Sequence, residues 1–197
     1  MGSRSESAGR ARWTERHRTA GVPPPSPFVI AALARLGTPS PPAPALDLAC
    51  GRGRHALVLA AAGYDVVAVD WALPALATLR QAATARGLQV HAVAADVTAW
   101  PLPRARFALV LATNFLERAL FPALRAAVAP GGALVVETFL RGQERYDHPT
   151  NPAYLLRPGE LAALVAGWRV VHAHEGPVDR DGSLALMAGI AAVVGSD

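Results

Sequence analysis

The chain has 197 residues and a formal net charge of +4; 52% of its residues are hydrophobic and 17% are charged. This composition supports a buried core and excludes wholesale disorder. All 19 strongly basic residues are arginine, so the chain lacks the lysine needed for a nucleotide-triphosphatase phosphate loop, a pyridoxal Schiff base or the Tyr–Lys pair of short-chain dehydrogenases.

The N-terminal region, residues 1–44, is predicted to be a basic, proline-rich tail or lid in front of a domain over residues 45–197. Five arginines and two glutamates give residues 1–20 a net charge of +3. Such a basic stretch in front of a nearly neutral domain is typical of a solvated terminus, and less often of a nucleic-acid contact.

A short helix is predicted inside this proline-rich region. Eight prolines interrupt residues 21–44, and proline both lacks an amide donor and disfavours helix in the residue before it. The stretch Phe28–Leu36 lies between the two proline clusters and can form a helix. Ser26 would cap it and Pro27 would occupy its first position.

Features of secreted and membrane proteins are absent from the sequence. The polar, arginine-rich start has no apolar signal segment, and no stretch reaches the ~18 uninterrupted apolar residues of a membrane span. Cys50 is the single cysteine, which excludes an internal disulfide framework and a sulfur-rich metal site. We therefore expect a cytoplasmic protein.

From Ala45 onward, short apolar runs alternate with segments of helical period. The predicted strands are Ala45–Cys50, Asp65–Asp70, Gln89–Asp96, Phe107–Asn114 and Ala133–Phe139. The helices predicted between them are Arg54–Ala62, Leu73–Arg86 and Leu116–Val128. This alternation predicts an α/β fold with a parallel sheet that helices cover on both faces.

After the fifth predicted strand, the alternation of strands and helices ends. A long loop, Leu140–Leu156, is predicted to lead into a short helix that begins near residues 158–160. Two strand-like segments follow, Trp168–His174 and Leu184–Val194, with turn-forming residues between them. Because no helix fits between these segments, they are predicted to pair antiparallel at the sheet edge.

The turn after the first predicted strand is the most informative motif. Asp47 lies near the end of this strand. At Gly51 and Gly53 the chain then turns, and the next predicted helix begins. Glycines let the backbone approach a ligand closely, and the start of the helix offers free amides and a partial positive charge. The turn also satisfies the G-x-G-x-x-A fingerprint of dinucleotide binding, so an NAD-linked oxidoreductase is one alternative.

Polar residues also end the next three predicted strands. Asp70 ends the second strand, Asp96 followed by Val97 ends the third, and Asn114 ends the fourth. Each alone could be a strand-end turn or a helix cap. Together with the glycine turn they predict a ligand site, because ligands of open parallel sheets bind at the carboxyl ends of the strands.

The stretch Asp47-x-Ala49-x-Gly51-x-Gly53 resembles the first motif of class I S-adenosylmethionine-dependent methyltransferases, with Ala49 where the family usually has glycine. The resemblance implies a Rossmann-like doubly wound sheet of seven strands in the order 3-2-1-4-5-7-6, with the last strand antiparallel. It implies S-adenosylmethionine as cofactor and S-adenosylhomocysteine as product. The cofactor-binding residues that follow are Asp47, Ala49, Gly51, Gly53, Arg54, Asp70, Trp71, Asp96, Val97 and Asn114.

The resemblance also implies a role for four of these side chains. Asp47 would orient the methionine ammonium group, and Asp70 would bind the ribose hydroxyls. Trp71 would pack beside the adenine, whose amino group Asp96 would meet.

Within that family, the chain looks most like the tellurite-resistance-like branch. The motifs that carry this likeness are Gly51-Arg52-Gly53-Arg54-His55, Asn114-Phe-Leu-Glu-Arg118, Val136-Glu-Thr-Phe139 and residues 151–160. Such proteins often have histidine before the position of Arg118, whereas this chain has Glu117. Membership of this branch does not fix tellurite as the substrate.

The acceptor is predicted to be a small molecule, with an anion or oxyanion as one option. Substrate contacts are expected from the loop after the fifth strand, at Arg141, Arg145, Tyr146 and Asn151. Glu137 and His148 are the candidate catalytic residues. An ordinary polar surface loop is the alternative for the loop residues, and Glu137 is either satisfied locally or faces the acceptor.

Other functions remain open at this point. His172 and His174 share one face of a predicted strand, but a third ligand is not evident, so no metal site is expected. A protein that binds the cofactor without catalysis would keep the same acidic residues. An RNA methyltransferase could use the arginine-rich tail for phosphate contacts, although no RNA-binding module is evident.

Overall fold

The computed structural model describes residues 21–37, 43–180 and 182–195. In these ranges the helices are α1 (Pro27–Leu36), α2 (Arg54–Ala61), α3 (Leu73–Ala85), α4 (Phe121–Ala127) and α5 (Glu160–Leu164). The strands are β1 (Pro44–Leu48), β2 (Asp65–Asp70), β3 (Val90–Ala94), β4 (Phe107–Thr113), β5 (Val128–Phe139), β6 (Arg169–Arg180) and β7 (Ser183–Val193).

The seven strands form one sheet in the order β3-β2-β1-β4-β5-β7-β6. Strands β1 to β5 pair in parallel, whereas β7 runs antiparallel to both of its neighbours, β5 and β6. Both the α/β class and the predicted strand order are therefore confirmed. None of the described helices is long and apolar enough to cross a membrane.

The sheet buries an apolar cluster on each face, because side chains of a strand alternate between faces. Leu46 and Leu48 of β1 face the cluster that α4 and α5 cover. Ala45 of β1 faces the opposite cluster, to which α1, α2 and α3 contribute. Asp47 has the same parity as Ala45 and so lies on the α1 side, at the carboxyl end of the strand.

Helix α1 confirms the prediction made within the proline-rich region. It begins at Pro27, and the Ser26 Oγ accepts a hydrogen bond of 3.2 Å from the Phe28 N–H. The tip of the Phe28 ring rests on the backbone of Gly189 in β7, where a Cβ would lie only 2.6 Å from the ring. The glycine therefore lets α1 dock closely on the sheet. The predicted division into a tail and a domain stays a prediction.

Two predicted boundaries are wrong. Strand β6 continues through Gly176 and Pro177, which were predicted to lie in the connection to β7. It tolerates proline because it is the edge strand, where one row of amides has no ladder partner. The helix predicted over Leu116–Val128 is instead a 3₁₀ turn followed by the short α4, with Pro122 in the first turn of α4.

Candidate active site

A cavity of about 870 Å³ opens at the carboxyl edge of the sheet. Its walls are the glycine turn after β1, the ends of β4 and β5, edge strand β6, and the segment that leads into α1. Of the site residues predicted from the sequence, the cavity brings together Ala49, Gly51, Arg54, Asn114 and Glu137.

Polar side chains end the apolar rows on the α1 side of the sheet. Asp47 follows Ala45 in β1, Thr113 follows Leu111 in β4, and Glu137 follows Val135 in β5. All three are buried. Because each lies two residues beyond an inward-facing apolar residue, the strands place all three on one face at one edge.

The carboxylate of Asp47 is only 1% exposed, and neither of its oxygens has a hydrogen-bond partner within the part of the chain that the structure describes. Burial raises its pKa from 3.8 to about 7; the backbone of Ala56 and the charge of Arg54 offset part of this rise. A buried acid whose oxygens complete no hydrogen bond among the described residues is costly, even with the Ala56 N–H favouring its charged form. Asp47 is therefore suited to binding a cationic or hydrogen-bond-donating ligand.

Every second residue of the glycine turn has a left-handed backbone conformation, with a positive φ angle. Ala49, Gly51 and Gly53 have φ angles of 55°, 54° and 76°. Alanine costs roughly 1 kcal/mol more than glycine in this conformation, so the turn is slightly strained at Ala49. A Cβ on Gly53 would lie 2.2 Å from Leu79 Cδ1 of α3, which leaves no space for a side chain.

Asp70, at the end of β2, holds the glycine turn in place. One carboxylate oxygen accepts a 2.8 Å hydrogen bond from the Gly51 N–H, and the other accepts a 2.8 Å bond from the Ala72 N–H. Asp70 is buried, and each oxygen keeps a second lone pair. Its first role is thus to fix the backbone of the turn against β2.

The residues predicted for the adenosyl side lie on the neighbouring strand tips. Trp71 follows Asp70 directly and is 38% exposed, and Val97 is buried. One Asp96 oxygen accepts hydrogen bonds from the Thr98 N–H and hydroxyl, at 3.0 and 2.7 Å. These groups border the same sheet edge as the cavity but are not part of its lining.

His55, in the first turn of α2, connects the start of α1 to the end of β4. Its Nε2 accepts a 3.0 Å hydrogen bond from the Ser26 N–H, so the ring proton resides on Nδ1. Nδ1 then donates to the Thr113 hydroxyl, 3.1 Å away. Burial lowers the pKa of His55 to about 3, with the charges of Arg54 and Arg180 acting in the same direction. The ring is therefore neutral.

Glu137 combines local hydrogen bonding with a place on the cavity wall. Its carboxyl group is buried, and burial raises its pKa; a hydrogen bond from the Ser26 side chain and the charges of Arg54, Arg180 and His174 partly offset this. The Asn114 N–H donates to the Glu137 carbonyl at 2.8 Å, which joins the ends of β4 and β5. Glu137 is therefore partly satisfied by local contacts, and its role toward the acceptor stays a prediction.

The loop residues predicted for substrate binding lie away from this cavity. Arg141, Arg145, Tyr146 and His148 are exposed, and Asn151 caps a 3₁₀ turn by accepting a 3.0 Å bond from the Ala153 N–H. None of the five is among the cavity-lining residues. Their roles toward substrate stay predictions.

Buried Gln143 fixes the position of this loop. Its amide oxygen accepts a 2.7 Å hydrogen bond from the Leu186 N–H of β7, and its amide nitrogen donates to the His148 carbonyl. The loop is thereby fastened to the last strand.

Two of the motifs that resemble the tellurite-resistance-like branch, residues 114–118 and 151–160, are joined by an ion pair. The Arg118 guanidinium binds both oxygens of the Glu160 carboxylate and also donates to the carbonyls of Ala153 and Leu155. This pairing lowers the pKa of Glu160 to about 2. Arg118 therefore fastens the loop before α5 to the 3₁₀ turn before α4.

Sequence reasoning missed several residues of the cavity. Ser26 and Thr113 were not singled out as site residues, His174 was considered only as a metal ligand, and Arg180 was overlooked. The His172 ring stacks on Phe28, with 4.7 Å between centroids. Within the described ranges, no group of three or more His, Cys, Asp or Glu side chains could hold a metal ion.

Residues 45–132, which contain the glycine turn and the first four strands, match the sequence model of the methyltransferase domain family. The fold around them has the strand order of the class I enzymes. Residues 45–132 are therefore similar to a methyltransferase domain, and the described residues have the fold of the class I S-adenosylmethionine-dependent methyltransferases. S-adenosylmethionine is the cofactor of this family.

Two curated methyltransferases are similar to the chain. Demethylmenaquinone methyltransferase from Thermus thermophilus is 45% identical over 102 residues, which are 48% of this chain and 46% of the relative. Malonyl-[acyl-carrier protein] O-methyltransferase from Pseudescherichia vulneris is 36% identical over 151 residues, 70% of this chain and 58% of the relative. The chain thus spans about half the length of these curated methyltransferases.

Solved structures show the same fold at low identity. TehB from Haemophilus influenzae superposes with a TM-score of 0.70 at 20% identity, over 85% of this chain and 61% of TehB. A methyltransferase from Mesorhizobium loti gives a TM-score of 0.64 at 18% identity, and the superposition covers 85% of this chain and 96% of the Mesorhizobium loti chain. These likenesses establish the methyltransferase fold for the described residues.

Proposed function

We propose that this protein transfers a methyl group from S-adenosylmethionine to a small-molecule acceptor and releases S-adenosylhomocysteine. The observation that supports this best is Asp47, a buried carboxylate without a partner beside the glycine turn. The donor carries an ammonium group at its amino-acid end, which such a carboxylate would bind. The residues present therefore fit the cofactor of the family.

The remaining donor contacts follow from the same strand edge. Arg52 and Arg54 line the cavity next to the glycine turn. Arg52, whose Nε and Nη1 are buried without a hydrogen-bond partner among the described residues, would bind the donor's carboxylate. The free lone pairs of Asp70 would accept the ribose hydroxyls while the carboxylate continues to hold the turn. Trp71 and the segment that begins at Asp96 would border the adenine.

The chemical contribution of the protein is mainly orientation. When bound, S-adenosylmethionine supplies an activated methyl group. The cavity walls would hold the acceptor in line and exclude water, which can lower a barrier by about 7–11 kcal/mol in favourable systems. Glu137 lines this cavity and would take the proton of a protic acceptor.

The curated relatives support the reaction and leave the acceptor open. Both relatives are methyltransferases by name, but their names give different acceptors. A small-molecule acceptor agrees with a cavity of about 870 Å³ that α1 partly covers.

Ligand-induced stabilisation tests the donor site. We expect S-adenosylhomocysteine to raise the free energy of unfolding by about 2.7 kcal/mol at 100 times its dissociation constant. Thermal unfolding with each ligand measures this, and NAD⁺ serves as the control. Stabilisation by NAD⁺ and not by S-adenosylhomocysteine would favour the oxidoreductase alternative over the proposal.

Glu137→Gln tests the proton acceptor. For an acceptor that must lose a proton, we expect kcat to fall about 10²- to 10⁴-fold with unchanged donor affinity, because the amide keeps the shape but cannot take the proton. The acidic limb of the wild-type pH–rate profile, set by a raised Glu137 pKa, should also disappear. Isotopically labelled methyl transfer across pH measures both effects.

Glu144→Gln is the matched control, because Glu144 is an exposed carboxylate on the loop outside the cavity. It should leave both kcat and the pH profile unchanged. Equal activity of the Glu137 and Glu144 variants would remove Glu137 from the reaction.

A further inference from the structure

We propose that the methyl acceptor is a small organic anion whose anionic group binds Arg180 and His174 of β6 while its accepting atom faces Glu137. This inference rests on the proposed function and deepens it by naming the substrate class. It assigns the specificity to the edge strand rather than to the loop after β5.

The sheet register places Glu137 and His174 on opposite sides of one gap. Glu137 of β5 pairs with Gly189 of β7, and Gly189 pairs with His174 of β6. Directly paired residues point to the same face, so the two side chains face one space at a backbone separation of about 10 Å. Gly189 adds no side chain between them, and the tip of the Phe28 ring packs on Gly189 and fills the part of the gap next to the sheet.

Arg180 is held over the same space by an aromatic ring. Its guanidinium carbon lies 5.4 Å from the ring centroid of Phe139, which is two residues beyond Glu137 and therefore on the same face. Stacking on a ring leaves the N–H edge of a guanidinium available for a planar anion such as a carboxylate. Arg180 also lines the cavity.

His174 supplies a second donor position. It lines the cavity, and its Nε2 is buried without a hydrogen-bond partner in the described part of the chain. A buried ring nitrogen without a partner is unfavourable unless a ligand completes it. Arg180 lies six residues beyond His174 on the same face of β6, but its guanidinium lies over the ring of Phe139. Phe139 is level with Gly176 in the sheet, two residues from His174, so an anion at the edge strand could meet both side chains.

The charges around the cavity favour the same class of acceptor. Three arginines line it, Arg52, Arg54 and Arg180, against the two carboxylates of Glu137 and Asp179. The donor itself carries a net positive charge. Asp47 would neutralise its ammonium group. An anionic acceptor would neutralise the remaining positive charge in a space with little water.

The spacing also limits the acceptor's other end. A hydroxyl, thiol or amine group would face Glu137, within about 10 Å of the anionic group because that is the two-strand separation. Its lone pair forms the bond to the methyl carbon, and the carbon–sulfur bond breaks with its electron pair left on sulfur. The proton of the accepting atom passes to the Glu137 carboxylate, so charge and atoms balance.

Matched acceptor pairs test this proposal. Small hydroxy-, thiol- and amino-carboxylic acids are compared with their primary amides as acceptors of labelled methyl from S-adenosylmethionine. We expect transfer to acids and little to amides, and Arg180→Gln should raise KM for an acid at least 10-fold with little change in kcat. Arg169→Gln, at an exposed arginine of β6 outside the cavity, is the control and should change neither constant.

The outcomes separate this inference from the proposed function. Transfer to amides as fast as to acids, or no transfer to any acid tested, would overturn the anionic acceptor. An equal loss with acids and amides in Arg180→Gln would overturn it too. Calorimetric binding of S-adenosylhomocysteine should stay unchanged in Arg180→Gln; failure of that ligand to bind even the wild type would instead contradict the proposed function.

Discussion

Replacing Asp47 by asparagine is expected to stabilise the ligand-free protein while it weakens binding of S-adenosylhomocysteine by about 30-fold or more, the effect of leaving a buried charged partner unpaired. Asparagine keeps the shape of aspartate but carries no charge. The free protein loses a buried carboxylate that has no partner among the described residues. The ligand's ammonium group loses its counter-charge.

The stability gain should depend on pH in a defined direction. Burial raises the folded-state pKa of Asp47 above its ordinary value of 3.8, to about 7. Between these two values the folded protein binds more protons than the unfolded chain, so wild-type stability falls as pH rises through this window. Above it the full effect, on the order of 4 kcal/mol, would be present. The asparagine variant should therefore exceed wild type at pH 8 and approach it at pH 4.

Urea unfolding at both pH values measures this effect, and calorimetry measures the affinity. Asp65→Asn is the control, because Asp65 is an exposed carboxylate whose partner is His91 at 3.0 Å. It should change stability by less than about 1 kcal/mol. An Asp47→Asn protein that is less stable than wild type at pH 8 would show that the carboxylate already has a structural partner.

Gly53→Ala is expected to reduce the free energy of unfolding by about 2–4 kcal/mol and to abolish donor binding, through overpacking together with left-handed strain. The new Cβ would lie 2.2 Å from Leu79 Cδ1 and within 3 Å of two further atoms of that side chain. Either α3 must shift or the turn must change its conformation. Since Gly51 in the same turn is bound by Asp70, the displacement would reach the donor site.

Gly63→Ala separates the two causes. Gly63 is also left-handed, with φ 92°, but a Cβ there would have no atom within 4 Å. It should cost only about 1 kcal/mol and leave donor binding intact. Equal losses in the two alanine variants would mean that the contact with Leu79 is unimportant. Adding Leu79→Ala should recover donor binding in Gly53→Ala if the clash is the cause.

The fold was predictable because its signals are local. Alternating apolar runs and helical segments predict parallel β–α units, and the lack of a helix between the last two runs predicts the antiparallel edge. Asp47 and Glu137 could be found because each continues the inward parity of its strand at the carboxyl end. Their burial follows from the same alternation.

The rest of the site depends on contacts between residues far apart in the sequence. His55 meets Ser26 and Thr113, 29 and 58 positions away, and no short pattern encodes that meeting. Arg180 reaches the cavity because β6 continues past Pro177, where the sequence pattern predicts a turn.

The loop after β5 shows the opposite case. Its polar composition predicts substrate contacts. Gln143 fastens it to β7 at Leu186, and the exposed side chains of Arg141 and His148 lie outside the cavity, so their substrate role stays a prediction. Composition alone does not report such a tertiary hydrogen bond.

A crystal structure of the protein with S-adenosylhomocysteine tests the central claim most directly. We expect the ligand's amino group to bind the Asp47 carboxylate, its ribose hydroxyls to bind Asp70, and its sulfur to face the cavity bordered by Asn114 and Glu137. A ligand bound elsewhere, with Asp47 still buried and without a partner, would contradict the account.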